Sequence, residues 1–235
     1  MMELGWKAGG AHSAEAKPPR YDPLQVPMGA RRDLLDRTPS GSQILDIGCA
    51  SGHIGRYLAT HRRAIVDGVE PEVDFAQQAA RSYRRVYNSS IEEALVALLP
   101  ERQHTYDAVL LLDVLEHVVD PWSVLNKCQA FLREGGKALI SIPNVAHWSV
   151  RKALLLGRWA YSDFGLLDRT HLRFCTRTTV LDLLAGSGWE PTWERPSVGQ
   201  PPVVKLSEAQ LRLLEKWPSL FAVQFLFEAV PSDRP

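Results

Sequence analysis

The feature that most constrains this chain is a short apolar run that ends in a glycine-rich turn. The run covers residues 43–47, the turn covers 48–52, and a helix-like pattern begins at His53. Residues without bulky side chains let a ligand approach the backbone closely. The first N–H groups of the following helix point into the crevice at the carboxyl end of the strand, where open α/β sheets bind ligands. The turn therefore predicts a nucleotide-type binding site.

Strand-like apolar runs alternate with helix-like patterns along the chain, which is typical of a parallel sheet with crossover helices. We predict an α/β fold with a doubly wound, mostly parallel, seven-stranded sheet. The predicted strands are 43–47, 64–69, 84–87, 106–112, 137–142, 189–195 and 221–230. The predicted helices are 30–36, 53–60, 72–80, 91–99, 122–132, 178–185 and 207–216.

The 235 residues, 45% of them hydrophobic, are enough for the core of one such domain. Residues 1–20 lack apolar periodicity, so we expect a flexible tail followed by a single domain over 21–235. The segment 143–174 is longer than an ordinary connection between a strand and a helix. We expect it to be irregular and to form a lid.

Charge and cysteine content narrow the class of protein. The 27 Lys and Arg residues balance the 27 Asp and Glu residues, whereas nucleic-acid binders usually have a basic excess. Cys49, Cys128 and Cys175 form no CxxC pair, so neither a disulfide framework nor a Cys-rich zinc site is indicated. No segment has the apolar length of a signal peptide or membrane span. We expect a cytoplasmic protein with no nucleic-acid or membrane partner.

The glycine spacing bears on which nucleotide the turn binds. Gly48, Gly52 and Gly55 are spaced by four and then three positions, whereas the dinucleotide fingerprint is spaced by two and then three. Glu70 lies 22 positions after Gly48, at the predicted end of the second strand. A carboxylate there can accept hydrogen bonds from both ribose hydroxyls of any adenosine cofactor. A NAD-dependent oxidoreductase therefore stays open as an alternative.

Four blocks between residues 43 and 144 resemble class I S-adenosylmethionine-dependent methyltransferases. Residues 44–52 resemble motif I, 68–70 the acidic motif of strand two, 106–118 the strand-four block and 132–144 the turn into strand five. The departure is Ala50 in motif I, where many relatives have a second glycine, but alanine is small enough to fit. The resemblance implies a Rossmann-like methyltransferase fold that binds S-adenosylmethionine and releases S-adenosylhomocysteine.

The resemblance also implies where the cofactor lies. Asp46 and Gly48 would meet its amino-acid end, and Glu70 its ribose. Asp113 either lies beside the sulfonium, whose charge suits a carboxylate, or is an N-cap or turn residue before Leu115. The other expected cofactor-binding residues are Cys49, Ala50 and Gly52 in the turn, Pro71, Ser90 and Ile91 around the adenine, and Val114 after the fourth strand.

Two histidines are candidates for the chemistry. Methyl transfer from a sulfonium is an in-line displacement that depends mainly on alignment, and a protonated acceptor also needs a base. His117 and His171 are the leading catalytic candidates, because the unperturbed pKa of histidine is about 6.5. Each is alternatively a hydrogen-bonded loop histidine. A metal site of Asp163, Asp168 and His171 has no recognised ligand spacing, so we predict no metal.

The lid combines aromatic residues with an excess of basic ones, which suits an anionic or ring-containing acceptor such as a nucleotide-linked sugar. The same residues could instead form a homodimer contact. Residues 142–147 and 167–174 resemble blocks of bacterial small-molecule and polysaccharide-linked O-methyltransferases. The expected substrate-binding residues are His147, Trp148, Arg151, Tyr161, Arg169 and Arg173.

Together these features predict a methyltransferase that acts on a small molecule or saccharide, preferably at oxygen. Methylation at nitrogen or at a peptide or protein carboxylate stays open. Two alternatives of another class also remain, a NAD-dependent oxidoreductase and a non-catalytic cofactor-binding protein.

Overall fold

A computed structural model describes residues 28–198, 207, 210 and 213–232. The strands are β1 (Gln43–Ile47), β2 (Ile65–Val69), β3 (Arg85–Tyr87), β4 (Tyr106–Leu112), β5 (Leu132–Pro143), β6 (Trp189–Val198) and β7 (Ala222–Pro231). The helices are α1 (Met28–Leu35), α2 (His53–Arg62), α3 (Val73–Ala79), α4 (Ile91–Arg102), α5 (Pro121–Gln129), α6 (Trp148–Leu155), α7 (Arg177–Gly186) and α8 (Pro218–Phe221).

The strands form one seven-stranded sheet in the order β3-β2-β1-β4-β5-β7-β6. Neighbouring strands are parallel except at β7, which is antiparallel to both β5 and β6. The predicted doubly wound, mostly parallel α/β sheet is therefore confirmed. Because β1 lies between β2 and β4, the strand order reverses at β1, and the crevice at such a reversal is where these sheets bind ligands.

β4 is the central strand of the sheet, and its side chains are buried accordingly. Residues 108–111 are fully buried, as expected for a continuous apolar run that is covered on both faces. Alternate residues belong to different clusters, since Val109 and Leu111 pack into one and Ala108 and Leu110 into the other. Each face of the sheet therefore has its own hydrophobic core.

Four of the predicted element ends are wrong by three residues or more: α4 and β6 each continue three residues further than predicted, and the boundary between α5 and β5 is displaced. The fifth strand begins at Leu132 rather than at 137, because Leu132 pairs with Tyr106 of β4 before a shift in the register of the two strands. Since Leu132 belongs to the strand, α5 ends earlier than predicted, at Gln129. The lid is not wholly irregular, since it contains α6, whose N-cap is His147. The expected tail over 1–20 lies outside the described residues, as does much of the expected helix over 207–216.

The three cysteines of the chain all lie in its described part, where they are free and buried. None of the helices in that part is both long and apolar enough to cross a membrane.

Tyr83 fills a space that three glycines leave open. A Cβ atom at Gly52, Gly55 or Gly68 would lie 2.9, 2.3 or 2.9 Å from the Tyr83 ring. The Tyr83 hydroxyl accepts a hydrogen bond from the Gly55 N–H at 2.9 Å and donates one to the Asp46 carboxylate. Gly55 and Gly68 are therefore small because they pack against this ring. The sequence analysis missed Tyr83, although a cluster of glycines in elements that pack together is a sign of a bulky neighbour.

Gly55→Ala should destabilise the fold much more than Gly186→Ala. An added Cβ at Gly55 would lie 2.3 Å from the buried Tyr83 ring, whereas one at Gly186 would have its nearest neighbour at 3.7 Å. Overpacking a buried site costs about 1–3 kcal/mol, while alanine in place of glycine at an unstrained position is neutral or slightly stabilising. Urea unfolding followed by circular dichroism measures both free energies. Equal values for the two variants would contradict this account.

Candidate cofactor and acceptor site

The turn after β1 packs directly against Val114, the second residue after β4. Gly48, Ala50 and Gly52 have positive φ angles of 73°, 45° and 82°. Such values favour glycine, and Ala50 is held there by a hydrogen bond from its N–H to Glu70. A Cβ at Gly48 would lie 2.7 Å from the Val114 side chain. The two loops that border the crevice are therefore in close contact because residue 48 has no side chain.

Glu70 directly follows β2, as the sequence predicts, and its side chain connects the ends of β1 and β2. Its Oε2 accepts a hydrogen bond from the Ala50 N–H and its Oε1 accepts one from the Glu72 N–H, each at 2.9 Å. The Asn88 amide donates to the backbone carbonyls of Glu70 and Pro71, which fixes the same bend. A carboxylate oxygen can accept more than one hydrogen bond, so a group of this kind at this position suits ribose hydroxyls.

Asp46 lies inside the protein rather than in the crevice. Its exposed fraction is 2%, and its carboxylate accepts a hydrogen bond from Tyr83. Burial and the nearby charge of Glu70 raise the pKa of Asp46 to about 7, against the opposing effect of the Tyr83 hydrogen bond. Cys49 is also buried, and its sulfur would be 2.7 Å from a Cβ at Gly68. Contact of Asp46 or Cys49 with the cofactor stays a prediction.

The expected adenine side of the site is formed by the bend after β2 and the start of α4. Ser90 is the N-cap of α4, where its hydroxyl accepts from the Glu93 N–H in a capping box. Ile91 packs partly against the larger hydrophobic cluster, and Pro71 is exposed. Ser90 therefore has a structural role that the sequence analysis did not assign, and the three adenine contacts stay predictions.

Asp113 forms a partly buried ion pair that the sequence analysis missed. Its carboxylate binds the Arg31 guanidinium of α1 and accepts hydrogen bonds from Ser141 at 2.6 Å and Gln224 at 3.1 Å. Burial opposes ionisation, but Arg31 and these hydrogen bonds together lower the pKa of Asp113. Asp113 is not an N-cap, since Val114 is the N-cap of the 3-10 turn that follows, but it is a turn residue before Leu115, with a φ angle of 56°.

The sequence does contain a signal for Arg31. Residues 31, 34 and 35 share one face of a helix because they are three and four positions apart. Leu34 and Leu35 are fully buried, and Arg31 is only 3% exposed. An arginine on the apolar face of a helix needs a partner for its charge, which here is Asp113.

The two predicted catalytic histidines lie side by side. The 3-10 turn Leu115–His117 follows β4, and its Glu116 carbonyl accepts hydrogen bonds from the N–H groups of Leu172 and Arg173 at 2.7 and 3.0 Å. This contact brings the end of the lid to the turn. The His117 and His171 ring centroids are therefore 4.8 Å apart, with the ring planes inclined at 71°. Burial, followed by the proximity of His117, lowers the pKa of His171.

Glu116 is a second residue that the sequence analysis did not single out. Its exposed fraction is 1%, and neither carboxylate oxygen has a hydrogen-bond partner within the described part of the chain. Burial and the Asp113 charge raise the pKa of Glu116 well above its usual range. In the sequence Glu116 is simply part of the strand-four block, and nothing there shows that its side chain points inward.

The expected substrate-binding residues divide into two groups. The arginines have structural partners, since Arg151 donates to the Ser219 carbonyl, Arg169 pairs with Asp163, and Arg173 donates to the Val119 carbonyl. His147 caps α6, while Trp148 and Tyr161 are exposed. Tyr161, Trp159 and Phe174 form an aromatic group in which the Phe174 ring lies 6.0 Å from His171. Trp159 and Phe174, which were not among the expected substrate-binding residues, therefore belong to the aromatic group beside His171.

Comparison with known proteins agrees with this geometry. A family model described as a methyltransferase domain matches residues 24–193. A ubiquinone biosynthesis O-methyltransferase of Dinoroseobacter shibae is 30% identical over 186 residues, which cover 77% of this chain and 73% of that protein. An enzyme of the same name from Coxiella burnetii is 32% identical over 130 residues, which cover 53% of this chain and 54% of that protein.

Solved structures show the same fold. A S-adenosylmethionine-dependent methyltransferase from Archaeoglobus fulgidus superimposes with a TM-score of 0.58 at 17% identity, covering 86% of this chain and 90% of that one. A second, from Mesorhizobium loti, superimposes with a TM-score of 0.55 at 17% identity, covering 84% and 95%. The sheet and the turn thus define a Rossmann-like nucleotide-binding fold.

The chain belongs to the S-adenosylmethionine-dependent methyltransferases. It is an enzyme whose cofactor is S-adenosylmethionine, and its curated relatives are O-methyltransferases. The NAD-dependent oxidoreductase and the non-catalytic cofactor-binding protein are therefore ruled out.

The raised pKa of Asp46 predicts how stability changes with pH. Asp46 titrates near 3.8 without burial and at about 7 in the folded protein. Between these values the folded state holds an extra proton, so the contribution of Asp46 to the free energy of unfolding falls as pH rises. Asparagine is neutral throughout and keeps an oxygen for Tyr83. The stability of Asp46→Asn relative to wild type should therefore rise from pH 4 to 7 and then level off.

Urea unfolding of both proteins across this pH range measures the difference in free energy. A difference that stays constant from pH 4 to 7 would show that Asp46 has an ordinary pKa in the folded state.

Proposed function

We propose that this enzyme transfers the methyl group to a hydroxyl oxygen of a ring-containing small molecule, beside His117 and His171. The observation that carries the proposal is that the histidine pair follows Val114, the residue packed against the Gly48 turn. The cofactor turn and the pair therefore border one crevice. The names of the curated relatives, which are O-methyltransferases, support oxygen as the acceptor atom.

The residues around the β1 turn fit S-adenosylmethionine. Gly48 and Gly52 leave bare backbone facing the crevice, and an added Cβ would meet Val114 or Ala79 at 2.7 Å. Gly52 is also the N-cap of α2 and has no side chain to occupy the first N–H groups of that helix. Glu70 is placed to accept from the ribose hydroxyls. When bound, the cofactor supplies an electrophilic methyl group on its sulfonium.

The histidines suit an acceptor that must lose a proton. The Thr170 hydroxyl donates its only hydrogen to Asp168 at 2.7 Å, so it accepts from the Nδ1–H of His117 at 3.1 Å. The neutral form of His117 therefore has its hydrogen on Nδ1 and its lone pair on Nε2. Burial and the proximity of His117 lower the pKa of His171, which favours the neutral form of that ring. The pair thus presents basic nitrogen to a hydroxyl group.

The aromatic group of Trp159, Tyr161 and Phe174 favours a flat acceptor, because aromatic faces pack against rings. The arginines that would bind an anionic acceptor already have partners, so the proposal depends more on the aromatic group than on the positive charge of the lid. A saccharide, an amine and a peptide carboxylate are the competing acceptors.

The proposal also includes the location and the oligomeric state of the enzyme. Free thiols suit a reducing compartment and therefore a cytoplasmic location. The exposed side chains of Leu154 and Leu155 suit a homodimer contact.

Glu70→Ala should weaken cofactor binding by about 10- to 100-fold, because it removes hydrogen bonds to a charged acceptor, each of which contributes about 1.5–3 kcal/mol. Asp74→Ala is the matched control, since Asp74 is an exposed carboxylate on the neighbouring helix α3. Calorimetric titration with S-adenosylhomocysteine measures both dissociation constants. An unchanged constant in folded Glu70→Ala would remove Glu70 from the ribose site.

The acceptor class is tested by incubating the enzyme with hydroxylated aromatics, saccharides, amines and peptides and measuring S-adenosylhomocysteine release. Hydroxylated aromatics should give turnover, and His171→Ala should lower kcat by about 100- to 10,000-fold with cofactor affinity intact. His61→Ala, at an exposed histidine of α2, is the control. Turnover on amines alone would overturn oxygen as the acceptor atom, and normal turnover of His171→Ala would remove His171 from the mechanism.

A further inference from the structure

Glu116, His117 and His171 form a compact group of metal-ligand types. Each offers one ligand atom, and these atoms all lie within 4.8 Å of one another. Ligands of a tetrahedral zinc ion are about 3.4 Å apart, so side-chain shifts of about 1 Å would close the group around an ion. The two histidines are joined to different segments, the 3-10 turn and the lid, which the backbone hydrogen bonds to Glu116 hold together.

The Glu116 side chain points independently to a cation. It is 1% exposed, and neither of its carboxylate oxygens has a hydrogen-bond partner within the described ranges. A buried carboxylate without a partner is costly unless it is neutral, paired or bound to a metal. Three charged groups act on the Glu116 carboxylate. Asp113 and Asp168 disfavour its negative charge, and Arg31 favours that charge but is paired with Asp113. A cation at Glu116 would offset this excess of negative charge.

Each imidazole is also held as a metal-bound histidine usually is. Such a histidine donates its other ring N–H to a carboxylate, carbonyl or hydroxyl, which fixes the tautomer and the ring orientation. His117 does so through Nδ1, which lies 3.1 Å from the Thr170 hydroxyl, itself bonded to Asp168. His171 interacts with the backbone of Leu166. Both rings therefore have a nitrogen lone pair to offer.

We propose that Glu116, His117 and His171 bind one divalent cation of the zinc type. Two imidazoles and a carboxylate suit zinc and the neighbouring first-row ions, whereas magnesium and calcium prefer sets made of oxygen ligands. The metal set that the sequence suggested and rejected is not formed, because Asp163 pairs with Arg169 and Asp168 accepts from Thr170. The proposal thus revises the expectation of no metal, through a different set of ligands.

Three protein ligands leave coordination positions open, as in catalytic zinc sites. With the ligand nitrogens of His117 and His171 bound to the ion, the pair itself would not take the proton, and the ion would instead favour the deprotonated form of the acceptor hydroxyl. The proton leaves to solvent or buffer, the oxygen forms the new bond to the methyl group, and the sulfonium becomes a thioether. This role rests on the proposed function, whereas ion binding itself does not.

The test is titration of untagged, chelator-treated full-length enzyme with Co²⁺, followed by its visible absorption, and then displacement by Zn²⁺. One equivalent should bind per chain. Glu116→Gln, which keeps the side-chain shape and removes the charge, should weaken binding by about 100-fold or more, since even residues that only orient ligands contribute about 10- to 100-fold. His171→Ala should do the same, and Thr170→Val should weaken binding by about 10-fold. His61→Ala, with its exposed histidine outside the group, should bind as wild type does.

Absence of saturable binding would overturn the proposal, as would binding that is equal in wild type and Glu116→Gln. Circular dichroism confirms that each variant is folded, and Glu116→Gln should unfold no more easily than wild type, because glutamine keeps the shape of the buried carboxyl group and cannot ionise. The titration needs neither cofactor nor acceptor, so its result does not depend on whether any acceptor is methylated. Turnover that persists in chelator with no bound ion would overturn the role of the ion in activating the acceptor, while leaving both ion binding and methyl transfer intact.

Discussion

The Tyr83 ring is the constraint on which the cofactor side of the structure depends. It occupies space that exists only because residues 52, 55 and 68 have no side chains. Its hydroxyl bonds the Gly55 N–H and the Asp46 carboxylate, so one side chain connects the end of β1 with the first turn of α2. The bend at Gly48 and the reach of Glu70 to Ala50 follow from that arrangement. Some of the small residues in this motif therefore serve an internal ring rather than the ligand.

A second link joins the opposite side of the crevice to the N-terminal helix. Arg31 reaches from α1 to Asp113, which also binds Ser141 of β5 and Gln224 of β7. Four elements thus meet at the first residue after β4. The 3-10 turn that carries Glu116 and His117 begins two residues later, so its position is set by a partly buried ion pair as well as by the sheet. Because the Arg31 side chain is buried, losing Asp113 would leave a buried charge without its carboxylate and would cost more than the pair itself contributes.

The sheet and the turn could be predicted because their signals are local. Apolar runs and glycine spacing lie within a few positions of the elements they define. The features that were missed join residues far apart in the chain, since Arg31 and Asp113 are separated by 82 positions and Tyr83 and Asp46 by 37. Periodicity does show that Arg31 faces inward, but not which carboxylate it meets. The early start of β5 likewise depends on its pairing with β4, which no local pattern reveals.

The lid is fixed at its two ends and exposed between them. At one end Asn144 pairs with Cys175, and at the other the Glu116 carbonyl receives the N–H groups of Leu172 and Arg173. The residues between 154 and 164 are largely exposed. Selection, or a protein engineer, can therefore exchange the middle of this segment to suit a new acceptor without moving the histidines. In such an architecture the range of substrates and the chemistry can evolve separately.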